Sequence, residues 1–174
     1  MKTKLSILLV LFCFLSFPVL AQEKTKKELK AEKELQQQKE IDALIASKKF
    51  VFEAQKVNPQ GGRLIILDYN TYFLKFNTEK TTCDLPFFGR GFNVPYGGGD
   101  GGIKFEGTPE NIRIEKKKKS STFRATVKGK DDVYDLMFTI FSNGSASLSV
   151  NSNNRSPISY DGVISAPKAE ENKN

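Results

Sequence analysis

The feature that most constrains the fold of this chain is a run of alternating residues near its C-terminal end. The apolar members of the run are Tyr134, Leu136, Phe138 and Ile140, then Ala146, Leu148 and Val150 after the dipeptide Asn143-Gly144. A period of two is typical of a strand with one buried face. Asn-Gly tolerates the positive φ angles of a two-residue hairpin turn. The pattern therefore predicts a β-hairpin over residues 133–150 with Phe138 in the core.

The same alternation recurs in shorter runs from Phe50 onward. These runs are 50–55, 72–76, 103–105, 112–114, 123–127 and 160–164, and residues 63–67 form a short apolar run between the first two. Short strands joined by tight turns, without a strand–helix–strand repeat, are typical of antiparallel sheets. We therefore predict a mainly β domain over residues 49–166. It is an antiparallel meander of about eight strands that forms a sandwich or half-barrel, preceded by a charged N-terminal helix.

Residues 22–48 are rich in lysine, glutamate, glutamine, leucine and alanine, and they contain neither glycine nor proline. These are good helix formers, so we predict a charged, lysine-rich helix. Ile41, Leu44 and Ile45 share one face and can dock, whereas the earlier part is polar enough to stay in water. The alternative is a basic arm that contacts the cell envelope or a partner. Residues 167–174 are polar and predict a disordered tail.

Residues 1–21 are typical of a cleavable signal peptide. Lys2 and Lys4 precede an apolar run that extends to Phe17, and Ala21 ends a cleavage site. The run is shorter than the roughly 20 apolar residues of a membrane-spanning helix. We therefore expect an exported protein, periplasmic or otherwise associated with the cell envelope, that is not integral to the membrane after cleavage.

The cysteine and histidine content argues against several chemistries. Cleavage would remove Cys13, which leaves Cys83 as the one thiol and allows no intramolecular disulfide. The sequence contains no histidine, which excludes Ser-His-Asp and Cys-His sites and argues against zinc. We interpret Cys83 as a small packing residue. We expect no enzyme, no metal site and no cofactor.

The most unusual segment, residues 85–102, combines aromatic side chains with a glycine run and lacks strand periodicity. Its candidate ligand-binding residues are Phe87, Phe88, Arg90, Phe92, Tyr96 and Asp100. Loops of this length are often functional, and these rings could line an apolar pocket or stack on a sugar. The alternative is that they plug one end of the sheet, and that Asp100 lies in a tight turn.

Two further polar segments are open to more than one interpretation. Residues 151–156 include Asn153 and Arg155, which could hydrogen-bond a ligand, although Asx turns also explain this composition. The run 116–119 consists of four lysines and has the charge of a nucleic-acid patch. Export and the lack of an adjacent aromatic stacking platform argue against nucleic acid, so we interpret it as a solvated hairpin. The expected partner is an envelope polymer, a lipid or a protein.

Four strings of residues resemble the domain-of-unknown-function 4251 family of small exported Bacteroidota proteins. They are 58–63, 85–90, 95–105 and 146–155, in the order that the family has them, although the triple glycine 97–99 is longer by one residue. The resemblance extends from the helix to about Ile164. It implies an exported, β-rich domain and implies no activity, substrate or site.

Two functions remain open from the sequence. The first is a non-catalytic periplasmic or envelope binding module for a small apolar or glycan ligand. The second is a structural or protein-interaction component of the cell envelope. A hydrolase or lyase would require Asp84 or Asp100 in a cleft that raises the pKa of the carboxyl group.

Overall fold

The computed structural model describes residues 25–92 and 101–168. Within them lie one helix and ten strands. Their bounds are α1 Lys26–Ser47, β1 Phe50–Pro59, β2 Ile65–Ile66, β3 Phe73–Phe76, β4 Thr81–Leu85, β5 Ile103–Gly107, β6 Pro109–Lys116, β7 Ser120–Lys128, β8 Val133–Phe141, β9 Ser145–Ser152 and β10 Ile158–Ser165. The predicted signal peptide, the candidate residues Tyr96 and Asp100, and most of the predicted tail lie outside the described residues.

The strands form one antiparallel sheet, which confirms the mainly β prediction. Their order is β5-β4-β3-β1-β10-β9-β8-β7-β6, and β2 pairs with β1 beside β3. The two ends of this order, β5 and β6, are halves of one segment interrupted only at Thr108. Because that segment pairs with β4 through its first half and with β7 through its second, the sheet curls into a nearly closed barrel. The curled sheet, not the two-sheet sandwich, is the predicted alternative that forms.

Strand β4 was not predicted from the sequence. Its inward side chains are Thr81, Cys83 and Leu85, each of which is buried. The alternation is therefore present, but it is short and begins with Thr81, a polar residue that a hydropathy pattern does not mark as buried. Cys83 is only 2% exposed, which confirms its interpretation as a packing residue.

The interior of the barrel is filled by phenylalanine rings. Five fully or almost fully buried rings from four strands meet there: Phe50, Phe52, Phe76, Phe123 and Phe138. Neighbouring ring centroids lie 4.7 to 6.0 Å apart, mostly edge to face, which is the favoured geometry for aromatic pairs. Each buried ring contributes roughly 1.5–3 kcal/mol of transfer free energy. The predicted core position of Phe138 is confirmed.

The predicted hairpin is confirmed in its register, because Phe138 pairs with Leu148. Its turn is not the predicted two-residue turn. The amide of Gly144 donates to the carbonyl of Phe141 at 3.0 Å, and Gly144 alone has a positive φ, of 82°. This is a three-residue loop that ends in a left-handed glycine. Asn143 uses its side-chain oxygen to accept hydrogen bonds from Ser145 instead.

Residues 33–47 of α1 pack across one end of the barrel. Ile41 and Ile45 are buried, and the amide of Gln37 donates to the carbonyl of Asn143 at 3.0 Å. A Cβ atom on Gly144 would lie 3.2 Å from Ile41 Cδ1, so the glycine allows a close approach of the helix. The predicted docking of the later part of the helix is confirmed. At the start of the helix, Thr25 and Glu28 form a reciprocal capping box.

The segments that connect the strands lie at two opposite ends of the barrel, which the strand registers define. We call the end beside α1 the helix end, and it comprises residues 37–49, 77–80, 116–119 and 142–144. We call the other end the loop end, and it comprises residues 60–72, 86–92, 101–102, 129–132 and 153–157. The loop end contains the described parts of both candidate segments, the aromatic one and the asparagine-rich one.

Candidate functional site

The segment 86–92 crosses the loop end from β4 towards β10. The phenol of Tyr160 donates a hydrogen bond of 2.8 Å to the carbonyl oxygen of Pro86. Tyr160 lies on β10 with its side chain fully buried, and two other strands separate β10 from β4 in the sheet. Burial strongly raises the pKa of Tyr160, so its phenol stays a neutral donor. The loop is therefore fixed to the inside of the barrel at its first residue.

The rest of this loop is held against residues 154–156. The amide of Phe92 donates to the carbonyl of Asn154 at 2.7 Å, and the amide of Ser156 donates to the carbonyl of Arg90 at 2.9 Å. The amide of Arg90 donates to the hydroxyl of Ser156 at 3.0 Å. These bonds have the length of ordinary, well-formed hydrogen bonds. The structure thus brings together the two segments that the sequence analysis selected separately.

Phe87 and Arg155 form a contact that covers part of the core. The guanidinium carbon of Arg155 lies 5.0 Å from the centroid of the Phe87 ring, and Nη1 donates to the carbonyl of Gly101 at 2.7 Å. Phe87 is half-buried and packs against the hydrophobic core. A Cβ atom on Gly89 would lie 2.5 Å from the Phe87 ring. Phe87 therefore packs as the plug interpretation expected, and Arg155 helps to hold it in place.

Three other candidate residues of the loop point outward. Phe88 is 46% exposed and Phe92 is 64% exposed, and the Arg90 side chain between them is also exposed. The backbone beside all three is fixed by the hydrogen bonds described above. The loop end therefore presents two aromatic rings and a cation on a backbone with little freedom.

Asp132, which the sequence analysis did not select, fixes the second segment. Its carboxylate accepts hydrogen bonds from the amides of Asn153 at 3.1 Å, Asn154 at 3.2 Å and Val133 at 2.8 Å. The side chain of Asn153 is exposed beside this anchor. Aspartate in a turn commonly accepts backbone amides, so the signal was present in the composition of residues 129–132.

Of the two acids considered for catalysis, only Asp84 lies among the described residues. Asp84 faces outward on β4 and lies 3.5 Å from the ammonium group of Lys104. Cys83 beside it is buried, and burial, aided by the charge of Asp84, raises the pKa of its thiol. Such a thiol is a poor nucleophile because it stays protonated. Within residues 25–92 and 101–168, no three potential metal ligands among His, Cys, Asp and Glu are grouped as a metal site requires.

The structure also shows an outward-facing groove that the sequence analysis missed. It has a volume of about 770 Å³ and runs over β1, β3, β4 and β5, with Glu53, Phe73, Lys75 and Thr82 among its lining residues. The ammonium group of Lys75 lies 5.1 Å from the centroid of the Phe73 ring and covers part of it. Outward side chains of a sheet carry no sequence signal for concavity, which explains the omission.

Fold and surfaces together define a small β-barrel protein with a helix across one end and exposed aromatic rings at the other. The family model described as "Domain of unknown function (DUF4251)" matches residues 32–164, and the chain belongs to that family. This confirms the resemblance inferred from the four strings of residues. No helix among the described residues is both long enough and apolar enough to cross a membrane.

A solved structure supports the same fold. The crystal structure of a DUF4251 family protein from Bacteroides eggerthii is 21% identical, with a TM-score of 0.59, over 75% of this chain and 87% of that chain. At this identity the likeness shows the fold alone. No curated protein matches the chain.

Proposed function

We propose that this protein is a non-catalytic binding module for a glycan, exported to the periplasm or the cell envelope, and that it binds through the loop end. The observation that carries the proposal is the pair of exposed rings, Phe88 and Phe92, on either side of Arg90 on a fixed backbone. A ring that is held rigidly in water loses little conformational entropy when a ligand covers it.

The chemistry of the three side chains fits a sugar. The flat carbon–hydrogen face of a pyranose ring packs on an aromatic face and removes apolar surface from water. Arg90 can donate several hydrogen bonds to hydroxyl or carboxylate oxygens, and Asn153 can both donate and accept. In the part of the chain that the structure describes, phenylalanine rings fill the interior of the barrel. That packing favours a glycan on the surface over a small apolar ligand inside.

Export is the second component of this proposal, and the N-terminal sequence supports it. N-terminal sequencing of the protein recovered from its native cells is expected to begin at Gln22. An intact Met1 on the mature protein would contradict export.

Glycan binding can be tested with polysaccharide-retardation gels and calorimetry, using purified peptidoglycan and a panel of neutral and acidic polysaccharides. We expect Phe88→Ala and Phe92→Ala each to weaken binding about two- to tenfold, since one stacked ring is worth about 0.5–1.5 kcal/mol. Phe141→Ala is the matched control, because Phe141 is 44% exposed but lies at the helix end. Phe73→Ala tests the outer groove in the same assay.

The results for these variants distinguish the loop end from the outer groove. Loss of binding in the Phe88 and Phe92 variants alone supports the loop end. Loss in the Phe73 variant alone would move the site to the groove, and unchanged binding in all variants would reject both surfaces.

A protein-interaction role in the envelope is the second candidate, and one observation favours it. Three further large apolar side chains at the loop end are more than half exposed: Leu64 at 51%, and Ile66 and Tyr69 at 71% each. Exposed apolar side chains concentrated at one end commonly mark a protein interface. If no glycan is retained, a crosslinking experiment in envelope extracts should capture a partner that Tyr69→Ser and Ile66→Ser release.

A further inference from the structure

Among the described residues, lysines are more numerous at the helix end than at the loop end. The segments of that end carry eight lysines and three acidic residues, whereas the described segments of the loop end carry four basic and three acidic residues. The excess positive charge therefore lies on one side of the barrel. Such an asymmetry attracts extended anionic surfaces and orients the molecule as it approaches them.

One salt bridge fixes the position of the lysine-rich hairpin tip. The ammonium group of Lys116 lies 2.6 Å from a carboxylate oxygen of Asp42 on α1. The amide of Lys117 donates to the carbonyl of Ser120 at 2.8 Å and closes the tip. Asp42 compensates the charge of Lys116, and the side chains of residues 117–119 remain exposed. Three cations are thus held together at the edge of the helix end.

Contrary to the expectation from the sequence, an exposed aromatic ring lies beside these cations. Phe141 pairs with Ser120 across β7 and β8, and it lines a shallow groove together with the lysines and with Ile41 and Ile45 of α1. It is 44% exposed. Basic side chains around an exposed ring are the combination that binds an anionic bilayer, because the cations pair with headgroups while the ring enters the interface.

We propose that the helix end is a peripheral docking surface for a bilayer that contains anionic phospholipid, with Lys117, Lys118 and Lys119 as the electrostatic contact and Phe141 as the apolar one. A soluble polyanion offers charge but no apolar layer for Phe141, so the pair of features favours the bilayer. Docking in this way leaves the loop end facing away from the membrane. The proposal does not depend on glycan binding.

The expected effect is large enough to measure. A lysine near an anionic surface strengthens binding about fivefold, so the three together account for roughly a hundredfold at low salt. This part of the affinity is screened by salt, because the Debye length falls to about 3 Å at 1 M. The contribution of Phe141 comes from apolar burial and persists at high salt.

The test is vesicle co-sedimentation of the mature protein. The vesicles contain phosphatidylcholine alone or with about one third phosphatidylglycerol, at low and high salt. We expect binding only to the anionic vesicles and mainly at low salt, a roughly hundredfold loss for Lys117→Gln/Lys118→Gln/Lys119→Gln at low salt, and a smaller loss for Phe141→Ala whose factor stays the same as the salt concentration is raised within the measurable range. The matched control is Lys56→Gln/Lys128→Gln/Lys130→Gln, which removes the same charge from exposed positions of the barrel wall and loop end.

Three outcomes would contradict the proposal. Equal loss in the two triple variants would mean that net charge, not the hairpin tip, drives binding. Binding to polyphosphate or duplex DNA that equals binding to vesicles and ignores Phe141→Ala would identify a polyanion surface instead. Absence of binding to anionic vesicles by the correctly folded protein would reject the surface outright. Glycan binding is measured without vesicles, so the two proposals can fail separately.

Discussion

Replacing Tyr160 with phenylalanine removes one hydroxyl group and leaves the ring of the barrel interior unchanged. That hydroxyl donates the 2.8 Å hydrogen bond to the carbonyl of Pro86, where the loop of residues 86–92 begins. Phenylalanine fits the same space, so the substitution creates almost no cavity. Any change in stability therefore reports on the hydrogen bond that fixes the loop.

The expected loss in the free energy of unfolding comes from the carbonyl group that Tyr160→Phe leaves without its hydrogen bond. The carbonyl of Pro86 would lose this partner in a partly buried position, and an unsatisfied group of this kind costs about 1–3 kcal/mol. In a domain of this size each kcal/mol lowers the melting temperature by about 2–4 °C. Tyr69→Phe is the control, because that phenol is on a residue 71% exposed and its removal should change stability by less than about 0.5 kcal/mol.

The pH dependence gives a second readout. Burial raises the pKa of Tyr160, so the folded protein keeps its phenol protonated where the unfolded chain, with a pKa near 10, ionises. The resulting stability is fully present below about pH 10 and is lost as pH rises further, by about 1.4 kcal/mol per pH unit. Phenylalanine has no such proton, so the stability gap between the two proteins should narrow above about pH 10.

Urea unfolding at neutral pH and at intervals up to about pH 11 measures both effects. Tyr134 and Cys83 also have pKa values that burial raises, and both groups are present in both proteins. The difference between the curves therefore isolates Tyr160. Equal stability at neutral pH together with parallel curves above pH 10 would refute the claim that this bond fixes the loop.

Three further substitutions test the fold itself. Phe138→Asp places a charge among the buried rings and should cost several kcal/mol, so an unchanged melting temperature would contradict the register of the hairpin. Gly162→Ala would put a Cβ atom 2.0 Å from the carbonyl oxygen of Glu53, and we expect a loss of about 1–3 kcal/mol in urea unfolding. Lys48 directly follows α1 and has a φ of 54°, so Lys48→Gly should stabilise the protein by about 0.5–1 kcal/mol, and a loss on thermal unfolding would contradict the left-handed conformation of residue 48.

The sheet was predictable from the sequence wherever large apolar residues alternate. This is why the strands around Phe138 and Leu148 were placed correctly. The closure of the barrel was not predictable, because it depends on the segment 103–116, which pairs with β4 through its first half and with β7 through its second. Within this segment a Cβ atom on Gly107 would lie 2.4 Å from the carbonyl oxygen of Lys128, so this close backbone approach requires a glycine. Glycine is common in turns and at bends of strands, so its presence at one position does not predict such an approach.

The candidate site was predictable in its segments but not in its contacts. Aromatic and asparagine-rich composition marked residues 85–92 and 151–156. The bonds that join them come mostly from backbone groups, such as the amide of Arg90 and the carbonyl of Asn154. Backbone groups are the same in every residue, so composition does not predict which of them pair.

The loop after β4 retains part of the alternation of that strand, and this makes the plug and the binding surface compatible. Leu85 is buried and Phe87 half-buried, whereas Phe88 and Phe92 are exposed. Phe87→Ala should therefore destabilise the protein by about 1–2 kcal/mol, part of the cost of a fully buried ring, and Phe88→Ala by less than about 0.5 kcal/mol. Thermal unfolding measures stability, and the polysaccharide gel measures binding in the same two variants. If Phe88→Ala proved as destabilising as Phe87→Ala, both rings would belong to the core, and the loop would present no binding surface.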